Sequence, residues 1–401
     1  MKVLQINATY MSGSTGKIMS DLDGVLRKND LESYMLCGYR PYGGIPKNLY
    51  IVDKGDPDIA IRRNLLKSRI TGRMGFDHKV ATIKALDWVN EIQPDIIHLH
   101  NIHGNWINIK ILFDYLVTNN IRVVWTLHDC WSFTGRCSHF EQCKCNKWQN
   151  QCYKCKNKNV YPITYFFDWS KKMYEEKKKT FLKIEDLTLV TPSKWLASYV
   201  NESFLKEKKV KTIHNGIDVN QYSPIINNRS IISEKVREKR VILGVASTWN
   251  YYKGFSDFIK LDGKIDHTKY VIVMVGLNSR QMKVIPDSII GIQRTNNLED
   301  LISIYSNAYV FLNMTYQDNY PTTNLEALSC GTPVITYLTG GSQESIIGDV
   351  GKVIKQGDID GVLKVLDSIE MISRELCRMT AVKNFNKYDR YKEYIDIYKN
   401  A

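Results

Sequence analysis

Asp318 and Glu326 stand eight positions apart in the run Asp318-Asn319-Tyr320-Pro321-Thr322-Thr323-Asn324-Leu325-Glu326, which leads on to Ser329-Cys330-Gly331-Thr332-Pro333. The pattern predicts a polar loop after a strand, a helix from about Thr322, and a Gly-Thr-Pro turn into the next strand. Two carboxylates so spaced can face one hydroxyl-rich ligand, because each accepts paired hydrogen bonds from vicinal hydroxyls. Three further sets could meet the same ligand. Lys253-Gly254 follows the apolar strand Leu243-Gly244-Val245-Ala246. His128, beside Asp129, closes the run Arg122 to Leu127. Gly13-Ser14-Thr15-Gly16 opens a helix, where backbone amides can approach phosphate. Lys17 is followed by Ile18, so this last turn is no Walker A loop and reads equally as a tight turn.

Other polar groups have plainer readings. His98 and His100 share one strand face, and packing explains them and His103 better than metal binding does. Cys137, Cys143, Cys145, Cys152 and Cys155 crowd one segment, with Cys130 upstream. Cys152-x-x-Cys155 has metal-knuckle spacing, and Cys137 with Cys143 or Cys145 could complete a structural zinc site. The competing reading is reduced thiols in a variable loop.

Short Val-, Ile- and Leu-rich runs must position these groups. They fall at 2–7, 31–37, 95–100, 121–127, 187–191 and 210–213, then at 240–246, 269–276, 288–292, 308–313, 332–336 and 352–354. Helix-length amphipathic segments such as 79–93, 253–262, 298–306 and 322–329 separate them. Two α/β sets of similar size predict two doubly wound, Rossmann-like domains facing across a cleft. The break is placed near Asn215-Gly216-Ile217-Asp218, before a polar stretch from Tyr222-Ser223-Pro224 to Arg229-Ser230. The predicted domains are 1–218 with an insertion at 137–183, 219–380, and a returning C-terminal helix at 381–401.

Of the 401 residues, 43% are hydrophobic and 24% charged, which suits a full globular core and excludes global disorder. No apolar run approaches the roughly 20 residues of a membrane span. With no export signal before the first strand, the expected place is the cytoplasm, with reduced cysteines. The net charge of +13 is uneven: residues 1–218 hold 33 basic and 22 acidic side chains, residues 219–401 hold 22 and 20. The first half is therefore expected to meet an anionic surface or polymer. Residues 61–73 carry five basic and no acidic side chains, and the second insertion holds Trp148, Tyr165, Phe166, Phe167, Trp169 and a Lys177-Lys178-Lys179 run. Both suit peripheral docking on the anionic inner face of the cytoplasmic membrane.

The Asp318 to Ile335 stretch resembles the Glu-x7-Glu region of retaining glycosyltransferases of family 4, which have the GT-B fold. Thr212-Ile213-His214-Asn215-Gly216-Ile217-Asp218 resembles that family's interdomain segment. Gly340-Gly341-Ser342-Gln343-Glu344 resembles its Gly-Gly-x-x-Glu turn. Thr126-Leu127-His128-Asp129-Cys130-Trp131 and Phe133-Thr134-Gly135 are similar to bacterial exopolysaccharide and capsule transferases of the colanic-acid type.

The resemblance implies a UDP- or GDP-sugar donor, no metal or other cofactor for catalysis, and a saccharide acceptor on polyprenyl diphosphate. It implies that Glu326 holds the ribose hydroxyls and that Asp318, one methylene shorter than the family's glutamate, touches the donor sugar with Asn319 beside it. Lys253 would neutralise the diphosphate, and His128 would face the sugar from the first domain. Gly13, Gly16, Asn324, Gly340 and Gly341 complete the implied donor site. The family's arginine six residues before the lysine is Ser247 here, which leaves Lys253, helix amides and Arg294 to balance the phosphates. The implied mechanism is front-face substitution with retention.

Two rivals are kept. One is a nucleotide-sugar epimerase of the same fold, which needs no acceptor. The other is a nucleic-acid-binding protein with a zinc knuckle, against which the nearly neutral second half speaks. No nucleic-acid partner is expected.

Overall fold

The computed structural model describes residues 1–41, 43–157, 161–225, 236 and 238–400. The polar stretch expected to run to Arg229-Ser230 lies outside them from residue 226 on. The chain divides into two compact units, Met1–Ile213 with the chain end from Tyr391, and His214–Arg390.

The first unit holds a parallel sheet of β1 (Lys2–Asn7), β2 (Glu32–Tyr39), β3 (Leu49–Asp53), β4 (Ile96–Leu99), β5 (Arg122–Thr126), β6 (Leu187–Thr191) and β7 (Lys209–Thr212). Their order is β3-β2-β1-β4-β5-β6-β7. Val3, Leu4, Ile6, Ile97 and Leu99 are wholly buried, as strands covered on both faces must be. All strands run parallel, and the progression of strand order changes sense between β1 and β4, where Gln5 pairs with His98 in register. The loops leaving those two strands flank the point where ligands bind open α/β sheets.

The second unit repeats the plan with β8 (Arg240–Val245), β9 (Tyr270–Val275), β10 (Ile290–Ile292), β11 (Val310–Asn313), β12 (Val334–Tyr337) and β13 (Gly351–Ile354). Their order is β10-β9-β8-β11-β12-β13, all parallel, with the reversal between β8 and β11. Lys253 follows β8 and Asp318 follows β11, so both stand at this second switch point.

Three differences from the sequence reading have physical causes. β3 was not expected: it is an edge strand, and Leu49 and Ile51 are buried while Tyr50, Val52 and Asp53 are half-buried, too short an alternation to stand out. Residues 61–73 lie mostly in a helix, Pro57–Thr71, whose N-terminus is capped by Asp56 accepting from the Ile59 N–H. The unit border falls before His214 rather than after Asp218, and the chain end returns at Tyr391 rather than 381. Ile217 exchanges backbone hydrogen bonds with Phe385 and Lys387, which ties the 214–218 segment to the second unit. Gly216 permits that approach, since a Cβ there would lie 2.5 Å from the Lys387 Cα.

Candidate active site

In the second unit, Lys253 closes a single 3-10 turn, Tyr251–Lys253, whose N-cap Asn250 accepts from the Lys253 N–H at 3.0 Å. The next residue must be glycine. Gly254 has φ +74°, and a Cβ on it would fall 2.3 Å from the Met314 carbonyl oxygen. That close approach lets the loop after β8 zip to the loop after β11: Tyr316 N–H and Thr315 Oγ1 both donate to the Tyr252 carbonyl, at 2.7 and 3.0 Å. The result brings Lys253 Nζ to 2.6 Å from Asp318 Oδ2. The sequence reading gave these two residues separate tasks; the fold joins them as a half-exposed ion pair.

Asn319 is buried, and its carbonyl accepts from the Gly341 N–H at 2.8 Å, which locks the Gly-Gly turn to the Asp318 loop. Gly340 has φ +52°, and the turn runs into a short 3-10 helix, Ser342–Ser345. Glu326 sits on the helix Thr322–Ser329, nearly buried, and its Oε2 accepts from the Tyr305 hydroxyl at 3.1 Å. Burial, then the Glu326 charge, pushes the Tyr305 hydroxyl well above its ordinary range, so it stays a donor.

Asn324 is placed differently from the rest. It is wholly buried, accepts from Asn313 Nδ2 at 2.8 Å and donates to Ser345 Oγ at 2.9 Å, so its amide ties β11 to the turn after β12. Arg294 and Ser247 are exposed, and among the described residues no hydrogen bond or ion pair joins Arg294 to Lys253, Asp318 or Glu326.

Two contacts here escaped the sequence reading. His214 Nε2 lies 2.9 Å from Glu344 Oε2, and its ring stacks on Tyr320 with centroids 4.7 Å apart. Asn215 Nδ2 donates to the Tyr320 carbonyl at 3.3 Å. The interdomain-like segment thus braces the loop that carries Asp318. Both partners sat inside quoted motifs, but their pairing across 106 and 130 positions has no local signal.

In the first unit, His128 follows β5 and lies half-buried against two buried histidines. Its Nε2 lies 3.1 Å from His100 Nδ1, and the two rings stack at 5.4 Å. His98 lies against His100 at 4.1 Å, within reach of Thr126 Oγ1 at 2.7 Å and the Tyr398 hydroxyl at 2.6 Å. Burial lowers His98 to about 3 and His128 to about 4, the latter against the nearby Asp129 charge, and lowers His100 well below 6.5. All three rings are therefore neutral at pH 7. Asp129 is the contrary case: burial would raise it, but His103 at 3.0 Å and the Trp131 N–H hold it down to about 2.

Gly13 (φ +66°) opens the helix Gly13–Lys28 after β1, as expected, and Gly16 lies in its first turn. Gly16 is packed where a Cβ would meet Thr9 Oγ1 at 3.0 Å and the Met11 amide at 3.1 Å. The turn is closed by Met11 N–H to the Gly16 carbonyl at 3.1 Å, so tight packing already accounts for that glycine.

The zinc expectation is not supported. Among the described residues, no three His, Cys, Asp or Glu side chains gather as a metal-holding set. Cys137 and Cys155 face each other at 3.9 Å, Cys152 accepts from the Gly135 N–H, and the Cys143 thiol donates to the Phe140 carbonyl. Phe133, Phe140, Trp148 and Tyr199 give the segment an aromatic cluster instead, with centroids 4.9–5.4 Å apart along the chain of contacts.

Residues 56–221 match the family model Glycosyltransferase Family 4, and residues 227–386 match Glycosyl transferases group 1. A putative colanic acid biosynthesis glycosyl transferase of Escherichia coli (strain K12) is 24% identical over 429 residues, covering all of both chains. An Escherichia coli protein named as a UDP-Gal:alpha-D-GlcNAc-diphosphoundecaprenol alpha-1,3-galactosyltransferase is 24% identical over 218 residues, half of this chain and 56% of its own. The solved structure of sucrose-phosphate synthase from Thermosynechococcus elongatus superposes over 100% of this chain and 98% of that one, with a TM-score of 0.74 at 14% identity.

Proposed function

We propose a substrate and a route for a chain that is a glycosyltransferase of GT-B fold, with a Family 4 domain in its first half and a group 1 domain in its second. It transfers a sugar from a UDP- or GDP-sugar to a hydroxyl of a saccharide carried on polyprenyl diphosphate, in the building of a cell-surface polysaccharide. The names of the two Escherichia coli relatives support the pathway and the acceptor class. The observation that carries the donor reading is the convergence of Lys253, Asp318 and the Asn319–Gly341 contact at the switch point of the second sheet.

In this reading Glu326 takes the ribose hydroxyls, and the incoming diphosphate competes with Asp318 for the Lys253 ammonium. Released from that pair, Asp318 is available to the sugar hydroxyls. The bond from the anomeric carbon to the diphosphate oxygen breaks while the acceptor oxygen bonds the same face. The acceptor's proton passes to the departing diphosphate oxygen, so the configuration is retained. Lys253 and the loop amides stabilise the charge that develops there. No Asp-x-Asp follows β8 or β11, the strands at this switch point, and the route proposed needs no divalent ion.

The acceptor's anionic carrier is assigned to the first unit. On the helix Pro57–Thr71, Ile59, Leu66 and Ile70 are exposed among Arg62, Arg63 and Arg69. Exposed Tyr165, Phe166 and Phe167 continue this face, since Tyr165 N–H donates to the Arg69 carbonyl at 2.9 Å. Apolar tips among cations suit a lipid interface with anionic headgroups. An open pocket of about 700 Å³ nearby is lined by Lys67, Arg73, Lys79 and Lys84 around Asp77. Among the described residues no helix is long and apolar enough to cross a membrane.

Calorimetry against UDP-, GDP-, ADP- and dTDP-sugars tests the donor, and binding of none of them removes the reading. Product analysis with a polyprenyl-diphosphate saccharide tests transfer and anomeric outcome; donor conversion without acceptor would favour an epimerase. Turnover should survive a chelator, and loss restored by magnesium would remove the metal-free route. His128→Ala should cut turnover with the fold intact, and full turnover would remove it from the site. Sedimentation with phosphatidylglycerol vesicles should deplete the wild type but not an Arg62→Glu, Arg69→Glu variant.

A further inference from the structure

Five cysteines line one pocket of about 210 Å³ in the first unit, and two of them are placed unlike the rest. The Cys143 thiol donates to the Phe140 carbonyl at 3.0 Å, and the Cys152 sulfur accepts from the Gly135 N–H at 3.1 Å, so the backbone occupies both. Cys137 and Cys155 instead face each other with their sulfurs 3.9 Å apart, the one such pair among the described residues. A disulfide bond is about 2.0 Å long, so a closure of about 2 Å separates this contact from a bond. Nothing in the sugar-transfer reading uses either thiol.

We propose that Cys137 and Cys155 are a modification site, a dithiol that a small anionic disulfide oxidises reversibly to a protein disulfide. The Cys155 thiolate, its proton given to solvent, attacks one sulfur of the incoming disulfide, and the other half leaves as a thiolate. Cys137 gives its proton to that thiolate. Its sulfur then attacks the Cys155 sulfur, and the second half leaves as a thiolate that takes a proton from solvent. Two protein thiols are oxidised, and one external disulfide is reduced to two small thiols.

The surroundings give the two sulfurs different parts. The thiolate and not the thiol is the nucleophile. A hydrogen bond from Cys137 lowers the Cys155 thiol most, and the Asn157 backbone and the Arg136 charge add to it, against burial and the Asp168 charge. The Cys137 thiol is pushed up, first by that same hydrogen bond and then by burial. Cys155 therefore attacks and Cys137 resolves. Lys144, Lys147, Lys154 and Lys156 line the same pocket, and among the described residues no Asp or Glu does. That sign favours an oxidant that carries carboxylates. The bond would join two separate segments. Cys137 lies in the loop after β5, where its carbonyl accepts from Thr134 Oγ1 at 2.6 Å. The Cys155 N–H donates to Asp168 Oδ2 at 2.7 Å, and Asp168 Oδ1 accepts from the N–H of Ser170, where the helix Ser170–Phe181 begins.

The test is peptide mapping by mass spectrometry on the full reduced chain, treated with oxidised glutathione at about pH 7 and quenched in acid before alkylation. The expected product is a Cys137–Cys155 cross-linked peptide that dithiothreitol removes. A different pairing, or a Cys155 that stays reduced while other cysteines react, overturns the proposal. Cys137→Ser keeps the side chain's size and removes the resolving sulfur, so glutathione should accumulate on Cys155 as a mixed disulfide. Absence of that adduct in the folded variant would overturn the order of attack, and the wild-type map stands without the variant. The uncharged hydroxyethyl disulfide tests the oxidant's class. The preference for oxidised glutathione over it should be about tenfold greater in the folded chain than in urea. An equal preference in both would overturn the anionic class.

Discussion

The two switch points of the molecule hold their polar groups in opposite ways. In the first unit, His98 and His100 are buried and His128 half-buried, held by two sets of hydrogen bonds, Gln5–His100–His128 and Thr126–His98–Tyr398. In the second, Lys253 and Asp318 form an ion pair across zipped loops, 37% and 20% exposed, and Asp318 also accepts from the Asn319 N–H at 2.9 Å. A buried network resists rearrangement because any orphaned group loses its full desolvation cost. A half-exposed ion pair contributes little to stability, at about 0–1 kcal/mol, and can be opened by a ligand with a better charge. The first arrangement suits groups that must stay in place, the second a charged ligand that comes and goes.

The largest contrast should appear in stability against pH. In the unfolded chain each histidine titrates near 6.5, while in the fold His98 titrates at about 3 and His128 at about 4, with His100 lowered as well. Below 6.5 the unfolded state binds more protons. The stability from these rings is whole above about pH 6.5 and is lost as pH falls toward about 4. At pH 5 His98 and His128 each cost about 2 kcal/mol, and His100 acts in the same direction. Asp129 adds nothing in this window, since its contribution is lost only below its unfolded value of 3.8. Thermal melts from pH 8 to 5 should fall by many degrees, and a flat curve would mean the stack is hydrated and protonates in place.

Glu326→Ala comes next and breaks the second unit's binding without touching the first. It removes the carboxylate proposed for the ribose and leaves the buried Tyr305 hydroxyl without that acceptor. Charged hydrogen bonds of this kind are worth about 1.5–3 kcal/mol, so nucleotide affinity should fall by about 10- to 100-fold. Unchanged affinity by calorimetry would show that Glu326 serves the Tyr305 hydroxyl and not the nucleotide.

Lys253→Met sharpens the comparison further, because stability and activity should part. The melting point should move little, for a loss of about 0–1 kcal/mol, while kcat should fall by about 100-fold through loss of charge at the diphosphate. A large stability loss with modest kinetic change would make the Lys253–Asp318 pair a structural tie.

The second unit was the more legible of the two from sequence. Lys253, Asp318 and Glu326 sit in runs where Gly254, Pro321 and Gly331 mark turns, so local chemistry announced both the loops and their place at strand ends. Twelve of the thirteen strands were legible for the same reason, as short apolar runs between turn signals. What the sequence could not show was pairing at long range. Gln5 and His100 are 95 positions apart, His98 and Tyr398 are 300 apart, and the cysteines' spacing suggested a ligand set that packing did not assemble. His98 and His100 were seen to share a strand face, but their link to His128 depends on β4 lying beside β5. Asn324 was read as a donor contact because of the motif around it; its burial between Asn313 and Ser345 depends on the turn after β12 folding back.

Tyr398→Phe has the smallest expected effect and tests how far the buried stack extends. The hydroxyl lies 2.6 Å from His98 Nδ1, at the end of a helix that rejoins the first unit at Tyr391. Phenylalanine fills the same space, so the change removes one donor and leaves one buried ring nitrogen without it, at a cost of about 1–2 kcal/mol. The melting point should fall by a few degrees, and donor affinity, which belongs to the second unit, should not move. A melting point that stays where it is would mean that His98 Nδ1 finds another donor, and that the last helix covers the stack without holding it.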